Sequence, residues 1–125
     1  LNALITPFYI LCFILIFLGI IGESIADHQL LQHKKNAGNE VCQQGLWQYS
    51  RHPNYFFECL VWLGFSLLGL SGEWGFISLT SIATLFCIMW FFTVPITEKV
   101  AIKKRGVAYV TYQKTTSRFM PWFKA

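Results

Sequence analysis

A polar segment directly before an apolar run carries the residue types best suited to chemistry. It spans Gly45–Glu58 and reads Gly-Leu-Trp-Gln-Tyr-Ser-Arg-His-Pro-Asn-Tyr-Phe-Phe-Glu. Pro53 favours the first turn of a helix, where no backbone N–H is needed. A helix that begins there places Asn54 and Glu58 on one face, one turn apart. Because a carboxylate inside an apolar helix is costly without a polar partner, this motif segment is predicted to be the functional site.

The composition places the chain among membrane proteins. Of its 125 residues, 54% are hydrophobic, 18% aromatic and 13% charged, whereas soluble domains carry about 25% charged residues. Three apolar runs, at about 4–26, 54–70 and 75–94, have roughly the length that crosses a bilayer core. We therefore predict an all-α integral membrane bundle of about three transmembrane helices, followed by a cytoplasmic amphipathic C-terminal tail.

The net charge is +4, and its placement predicts the orientation of the chain. All ten basic residues follow the first or the third apolar run, and none lies in the turn 71–74. They are Lys34, Lys35, Arg51, Lys99, Lys103, Lys104, Arg105, Lys114, Arg118 and Lys124. By the positive-inside rule both basic segments are expected on the cytoplasmic side of the membrane. This membrane would be the inner membrane if the source is bacterial. This topological role explains the charges without a nucleic-acid partner.

The connections between the apolar runs are expected to be irregular. Residues 28–44 are predicted to form a polar linker around Gly38, with His28 and His33 facing solvent or phosphate. Pro95 is expected to disrupt the third helix as the chain re-enters the cytoplasm. The basic tail that follows is expected to lie on anionic headgroups, with its aromatic side chains in the interface. Neither the cysteines nor the histidines have metal-ligand spacing, so no metal site is predicted.

Polar side chains of all three helices are expected to meet at the cytoplasmic end. Glu23 and Asp27 end the first helix, the motif segment begins the second, and Glu98 follows the third. Charged groups at membrane depth tend to line a bundle interior or an aqueous cavity, which predicts a shared pocket. The alternative for Glu23 and Asp27 is that both reach into water at the interface.

The predicted pocket combines two kinds of chemistry. Its carboxylates and Asn54 suit hydroxyl and amide groups, and its basic side chains suit phosphates. The basic groups are Lys34, Lys35, Arg51 and the cluster Lys103–Arg105. A reduced nicotinamide dinucleotide matches both kinds, whereas S-adenosylmethionine matches only the acidic one. The nucleotide and hydrolase motifs GxGxxG, GxxxxGK[ST], GxSxG and HExxH are absent, so a cofactor site must be built inside the helical bundle.

Two stretches together resemble the steroid 5α-reductase superfamily. They are Trp-Gln-Tyr-Ser-Arg-His-Pro-Asn-Tyr with the glutamate at 58, and Gly-Val-Ala-Tyr-Val-Thr-Tyr with Phe-Met-Pro-Trp in the tail. The likeness is strongest to a little-characterised bacterial membrane branch, and sterol C14 reductases share the Arg-His-Pro-Asn-Tyr core. It covers nearly the whole chain from about Gly19 and corresponds to the C-terminal part of those enzymes. The resemblance implies a missing N-terminal half, bound NADPH, and reduction of an activated carbon–carbon double bond in a lipid or steroid-like substrate.

The resemblance also implies roles for individual residues. Asn54 and Glu58 would hold the nicotinamide or ribose end of NADPH, Asp27 matches an acidic cofactor contact, and Glu23 stands where some relatives have asparagine. The tail positions that would close over the cofactor are Tyr109, Tyr112 and Arg118. The complete predicted binding set is Glu23, Asp27, Lys34, Lys35, Tyr49, Arg51, His52, Asn54, Tyr55, Glu58, Glu98, Arg105, Tyr109, Tyr112 and Arg118. No catalytic residue is assigned, because the steroid reductases carry their proton donor in the N-terminal half.

Some alternatives stay open at this level. Phe57 replaces a glycine that relatives usually have, and its ring is expected either to crowd the cofactor or to face lipid. His52 suits a general acid, a phosphate contact or a helix-start residue. Isoprenylcysteine and phospholipid methyltransferases share the fold and use S-adenosylmethionine, but commonly lack the residues found here at 54 and 58. The sequence therefore favours a reductase, with a methyltransferase or a non-catalytic membrane fragment as alternatives.

Overall fold

The computed structural model describes residues 5–124, with side chains from Thr6 onward, and these residues form helices joined by short connections. The α-helices are α1 (Ile5–Ala37), α2 (Pro53–Gly69), α3 (Gly75–Ile88), α4 (Val94–Arg105) and α5 (Val107–Thr115). A 3-10 turn (Gly45–Gln48) precedes α2, and a π-helical segment (Met89–Thr93) joins α3 to α4. Residues 5–124 contain no strand beyond an isolated bridge between Ser50 and Ser117. The all-α prediction is confirmed.

Two continuous helices are long and apolar enough to cross a membrane. They are Thr6–Ala37 and Gly75–Arg105, the second made of α3, the π segment and α4. Their most apolar stretches are only 22% and 11% buried by the rest of the chain, which fits a lipid-facing surface better than a soluble core. α2 has 17 residues, slightly fewer than the roughly 20 that span a bilayer core, so a third span stays a prediction. Leu4, the predicted start of the first span, lies outside the described residues.

α1 continues well past Ala26, so the prediction of an irregular linker over 28–44 is wrong for its first part. Between Ala26 and Gly38 the sequence contains no glycine or proline. Gly38 has a φ of +61°, the left-handed conformation in which helices commonly end. The glycine that was assigned to a turn inside the linker is therefore the residue that stops the helix.

Most polar residues of this last part of α1 are exposed, and one of them is buried. Lys34 and Lys35 are exposed in the final turn, where cations interact favourably with the helix dipole. His28 is exposed, as expected. His33 is buried, with only 5% of its surface exposed, so solvent exposure holds for one of the two histidines.

The helix is disrupted next to Pro95, as predicted, but it continues beyond Val94, the predicted end of the third span. The backbone widens before Pro95, and the Val94 N–H donates to the carbonyl of Met89, five residues back. In that π register the Trp90 carbonyl would bond to residue 95, which has no N–H. The Arg118 guanidinium donates to this carbonyl instead, at 2.6 Å, and lies 4.1 Å from the centre of the Trp90 ring. The helix therefore continues into α4.

Small residues let α1 and α2 pack closely. A Cβ added at Gly19 would lie 2.6 Å from the Phe57 carbonyl oxygen, and one at Gly22 would lie 2.3 Å from the Phe57 ring. The Phe57 ring thus packs on Gly22 at the helix contact. α2 also packs on α3, where the Ser78 hydroxyl donates to the Ser66 carbonyl at 2.5 Å.

The C-terminal tail does not form one continuous helix. After α5 the chain folds back along the motif segment, and the Arg51 N–H donates to the Ser117 carbonyl at 2.8 Å. The Trp122 N–H donates to the Tyr49 carbonyl at 3.0 Å. Both tyrosines of α5 are buried and do not lie in an interface. The tail therefore supports the motif segment from one side.

Candidate functional site

A cavity of about 400 Å³ lies among the ends of α1, α2 and α4, the connection before α2, and α5. Its volume falls in the range of about 300–1,000 Å³ that is usual for small-molecule sites. Eight residues of the predicted binding set line it, namely Lys34, Arg51, His52, Asn54, Tyr55, Arg105, Tyr109 and Tyr112. Residues from four separate parts of the chain are thus brought together around one space.

The other seven residues of the predicted set lie outside the cavity lining: Glu23, Asp27, Lys35, Tyr49, Glu58, Glu98 and Arg118. Asp27, Lys35 and Tyr49 are exposed, and Arg118 is bonded to the Trp90 carbonyl. Glu23 lies within electrostatic range of Glu58 and Asp27. The polar groups therefore form two clusters: a mainly basic cavity, and an acidic group on α1 and α2 that does not line it.

Glu98 does not line the cavity itself, but it accepts hydrogen bonds from three side chains that do. Its Oε2 accepts hydrogen bonds from Arg51 Nη1 at 2.5 Å, from His52 Nε2 at 3.1 Å and from the Tyr109 hydroxyl at 3.0 Å. The Gln113 amide lies 3.5 Å from the other oxygen. A buried carboxylate is stable only with such partners. The arrangement orients the arginine and the histidine that begin the Arg-His-Pro core.

The rest of the motif segment is held by hydrogen bonds to α5 and to α1. The Tyr112 hydroxyl lies 2.6 Å from the Trp47 carbonyl and 3.1 Å from the Ser50 carbonyl. The Trp47 indole N–H donates to the Ala26 carbonyl at 3.0 Å. Burial raises the pKa of Tyr112 above its ordinary value. Tyr112 therefore stays a donor throughout the physiological pH range.

Tyr112→Phe is expected to destabilise the protein by about 1–3 kcal/mol, because two buried carbonyls lose their donor. Since the pKa of Tyr112 is raised in the folded protein, its stabilising contribution is complete below about pH 10 and declines as the pH rises further. The variant should therefore lose stability less steeply than wild type at alkaline pH. Thermal unfolding at several pH values measures both effects. Tyr49→Phe, at an exposed tyrosine, should change neither.

Three buried polar atoms of the lining residues have no hydrogen-bond partner within residues 5–124. They are His33 Nδ1, Arg51 Nε and Asn54 Oδ1. Buried polar groups are nearly always paired, and leaving one unpaired costs about 1–3 kcal/mol. A ligand that offers a donor to Asn54 and an acceptor to Arg51 would satisfy both. These atoms therefore indicate a site that is completed by a polar ligand.

The cavity carries an excess of positive charge. Four basic side chains line it, at Lys34, Arg51, Lys104 and Arg105, against one carboxylate, Glu40. Arg51 is already neutralised by the buried carboxylate behind the wall. The other three basic groups come from the C-terminal ends of α1 and α4. Clustered lysine and arginine side chains favour an anionic ligand, phosphate above all.

His33 and Lys104 were missed as members of the binding set. His33 lies seven residues beyond Ala26, which is two helical turns, and so continues the face on which Gly19, Gly22 and Ala26 pack against neighbours. This signal was present, but the expected linker interrupted the pattern. Lys104 belongs to a basic cluster that was recognised, but only the backbone direction of α4 shows which members face the cavity.

Comparison with known proteins places the chain among proteins without an assigned role. A family model described as "Protein of unknown function (DUF1295)" matches residues 2–116. An uncharacterised protein of Schizosaccharomyces pombe is 36% identical over 78 residues, a match that covers 62% of this chain and 22% of that protein. The chain thus corresponds to less than a quarter of this relative. No solved structure matches the chain.

Proposed function

The chain belongs to the DUF1295 family, which is associated with the steroid 5α-reductase-like superfamily, and from this premise we propose that it is the cofactor-binding part of a membrane reductase. The reductase would use NADPH to reduce a carbon–carbon double bond of a lipid or steroid-like substrate. One observation carries the proposal: the cavity combines uncharged polar groups from the start of α2 with basic groups from the ends of α1 and α4.

The chemistry of a reduced nicotinamide dinucleotide fits this combination. The Asn54 Oδ1 acceptor has no partner in the described part of the chain, so it is free to accept a hydrogen bond from a ribose hydroxyl or a carboxamide. Lys34, Lys104 and Arg105 supply charge for phosphates. Glu58, which the family resemblance pairs with Asn54, is not among the lining residues, so Asn54 is assigned the contact. Bound NADPH would supply the hydride, and the chain would position it.

The membrane arrangement belongs to the same proposal. α1, α2 and the continuous helix of α3 and α4 would form three spans in a multi-pass protein, with the basic segments and the cavity on the cytoplasmic side. An amphiphilic substrate would then reach the hydride donor from the bilayer. The residue that protonates the substrate would come from a preceding N-terminal half, as in the steroid reductases that the chain resembles. The finer assignment to the bacterial membrane branch is part of this proposal.

The charge of the cavity argues for the reductase over a methyltransferase. S-adenosylmethionine carries a sulfonium cation and no phosphate, so it would be attracted by carboxylates. Of the acidic residues expected to bind it, Glu23, Asp27 and Glu58 do not line the cavity. Arg51 is paired with Glu98, so three basic side chains against one carboxylate, Glu40, instead favour an anionic cofactor. A non-catalytic fragment would leave the three buried polar atoms of the wall unexplained.

Removing one cavity cation should weaken NADPH binding by about tenfold or more, because a charge-assisted hydrogen bond contributes about 1.5–3 kcal/mol. The variants are Lys104→Gln and Arg105→Gln, measured by calorimetry on the protein purified in detergent from its complete coding sequence. Lys103→Gln is the matched control, since Lys103 is exposed and does not line the cavity. It removes the same charge from the same turn and should change the affinity little.

Two results would contradict the proposal. Equal losses in all three variants would mean that the basic cluster acts only through its general field and not as part of a site. Saturable binding of S-adenosylmethionine by the wild-type protein, without binding of NADPH, would establish the methyltransferase alternative instead.

A further inference from the structure

His33 is a buried histidine of the cavity wall with one nitrogen bonded and the other free. Only 5% of its surface is exposed, and its Nε2 lies 2.8 Å from the Glu40 carbonyl oxygen. Because a carbonyl can only accept, Nε2 must carry a hydrogen. Nδ1 is buried and has no hydrogen-bond partner within residues 5–124. In the neutral ring Nδ1 is therefore an unsatisfied lone pair, and in the protonated ring it is an unused donor.

Charged groups from several elements share this wall with His33. From the elements around the cavity they are Lys34, Glu40, Arg51, Lys104 and Arg105. Arg51 is paired with Glu98, and the Asn39 amide donates to the Lys104 carbonyl at 3.2 Å, which ties the turn after α1 to the end of α4. The other titratable groups of the wall are Cys42, His52 and three tyrosines. Burial raises the pKa of Cys42, so its thiol stays neutral. The basic groups thus prevail around His33.

We propose that His33, Lys34, Lys104 and Arg105 form a phosphate subsite in which His33 takes up a proton on Nδ1 when the phosphate binds. The neutral ring would present a lone pair to a phosphate oxygen, which is repulsive. The protonated ring donates from both nitrogens, to the Glu40 carbonyl through Nε2 and to the phosphate through Nδ1. The proton comes from the solvent, and imidazole is the side chain that exchanges it in the physiological pH range.

The identity of the phosphate rests on the proposed NADPH binding, whereas the subsite itself rests on the wall residues. NADPH offers two sources of the same chemistry: the 2′-phosphate, which NADH lacks, and the diphosphate, which both carry. A subsite for the 2′-phosphate would make His33 a determinant of NADPH over NADH. A subsite for the diphosphate would make the binding of both cofactors depend on pH.

The test is calorimetry of NADPH and NADH binding to the full-length protein at about pH 6.5 and about pH 8, each in two buffers of different ionisation enthalpy. The difference between the binding enthalpies in the two buffers gives the number of protons taken up on binding. His33→Gln retains a donor for the Glu40 carbonyl but cannot be protonated. We expect it to bind NADPH about tenfold more weakly at the lower pH and to take up fewer protons than wild type. His28→Gln, at an exposed histidine of the same helix, should behave as wild type.

Each outcome decides one point. A loss confined to NADPH assigns the subsite to the 2′-phosphate, and a loss for both cofactors assigns it to the diphosphate. Unchanged affinity and proton uptake in His33→Gln, with an unchanged unfolding temperature, would overturn the subsite. If wild type binds neither cofactor, the proposed function fails, and inorganic pyrophosphate becomes the probe. A rise in the unfolding temperature with pyrophosphate that is lost in His33→Gln would still support the subsite, and no rise in wild type would overturn it.

Discussion

Glu98→Gln should lower the free energy of unfolding by about 3–5 kcal/mol, the cost of removing one partner from a buried ion pair. The amide has nearly the shape of the carboxylate but no charge to balance Arg51, whose Nη1 lies 2.5 Å from Oε2. At that position three donors converge, from Arg51, His52 and Tyr109. An amide nitrogen there would face donors, and an amide oxygen would accept more weakly. Thermal unfolding in detergent measures the loss, which should be roughly 10 °C or more.

Two companion variants make the Glu98 result specific. Glu73→Gln makes the same chemical change at an exposed position in the turn between α2 and α3, and it should alter stability by less than about 0.5 kcal/mol. Adding Arg51→Gln to Glu98→Gln removes the unbalanced charge, so the double variant should be more stable than the sum of the single losses indicates. Strict additivity of the two losses would contradict an ion pair that acts as one unit.

Gly19→Leu is expected to force α1 away from α2 and to destabilise the protein by about 3 kcal/mol or more, at the upper end of the usual range for overpacking. A Cβ at this position would lie 2.6 Å from the Phe57 carbonyl oxygen and 2.9 Å from the Val61 backbone nitrogen. Backbone atoms inside a helix cannot move aside as a side chain can. The unfolding temperature and the yield of monodisperse protein in detergent measure the effect.

Gly22 provides the contrast that tests this explanation. The atoms nearest to a Cβ there belong to the Phe57 ring, at 2.3–2.5 Å. Phe57→Ala should therefore restore much of the stability lost in Gly22→Ala, but little of that lost in Gly19→Ala, where backbone is in the way. Gly72→Ala meets no atom closer than 3.4 Å and should be tolerated. Equal rescue of both glycine variants would show that the ring, and not the backbone of α2, limits the approach of α1.

The local signals in the sequence were reliable where a single residue type decides the backbone. Pro53 begins α2, as its missing N–H predicts. Gly106, with a φ of +61°, separates α4 from α5. Pro95 disrupts the helix as expected, but the way in which it does so depends on the register around it. The π segment shifts the orphaned acceptor to Trp90, and only a residue far along the chain, Arg118, satisfies it.

The set of residues that share the site was only half predictable. Asn54 and Glu58 were expected to act together, since they stand one turn apart on α2. The structure places Asn54 in the cavity lining, while Glu58 lies outside it, within electrostatic range of Glu23. A spacing of four residues puts two side chains on the same face of a helix. It does not determine whether both of them reach the same cavity. His33 was not predicted to line the site, because the helix was expected to end before it.

The sequence by itself determined the apolar helices, the start of α2 at Pro53, and the basic clusters that follow the first and third apolar runs. These follow from periodicity, composition and the stereochemistry of glycine and proline, which act over one or two turns. Only the tertiary structure decided that basic side chains from α1 and α4 line one cavity, that the acidic residues Glu23, Asp27 and Glu58 stay outside it, and that Glu98 supports its wall. Which groups meet depends on the rotation, length and register of helices distant in sequence, and no local spacing specifies those.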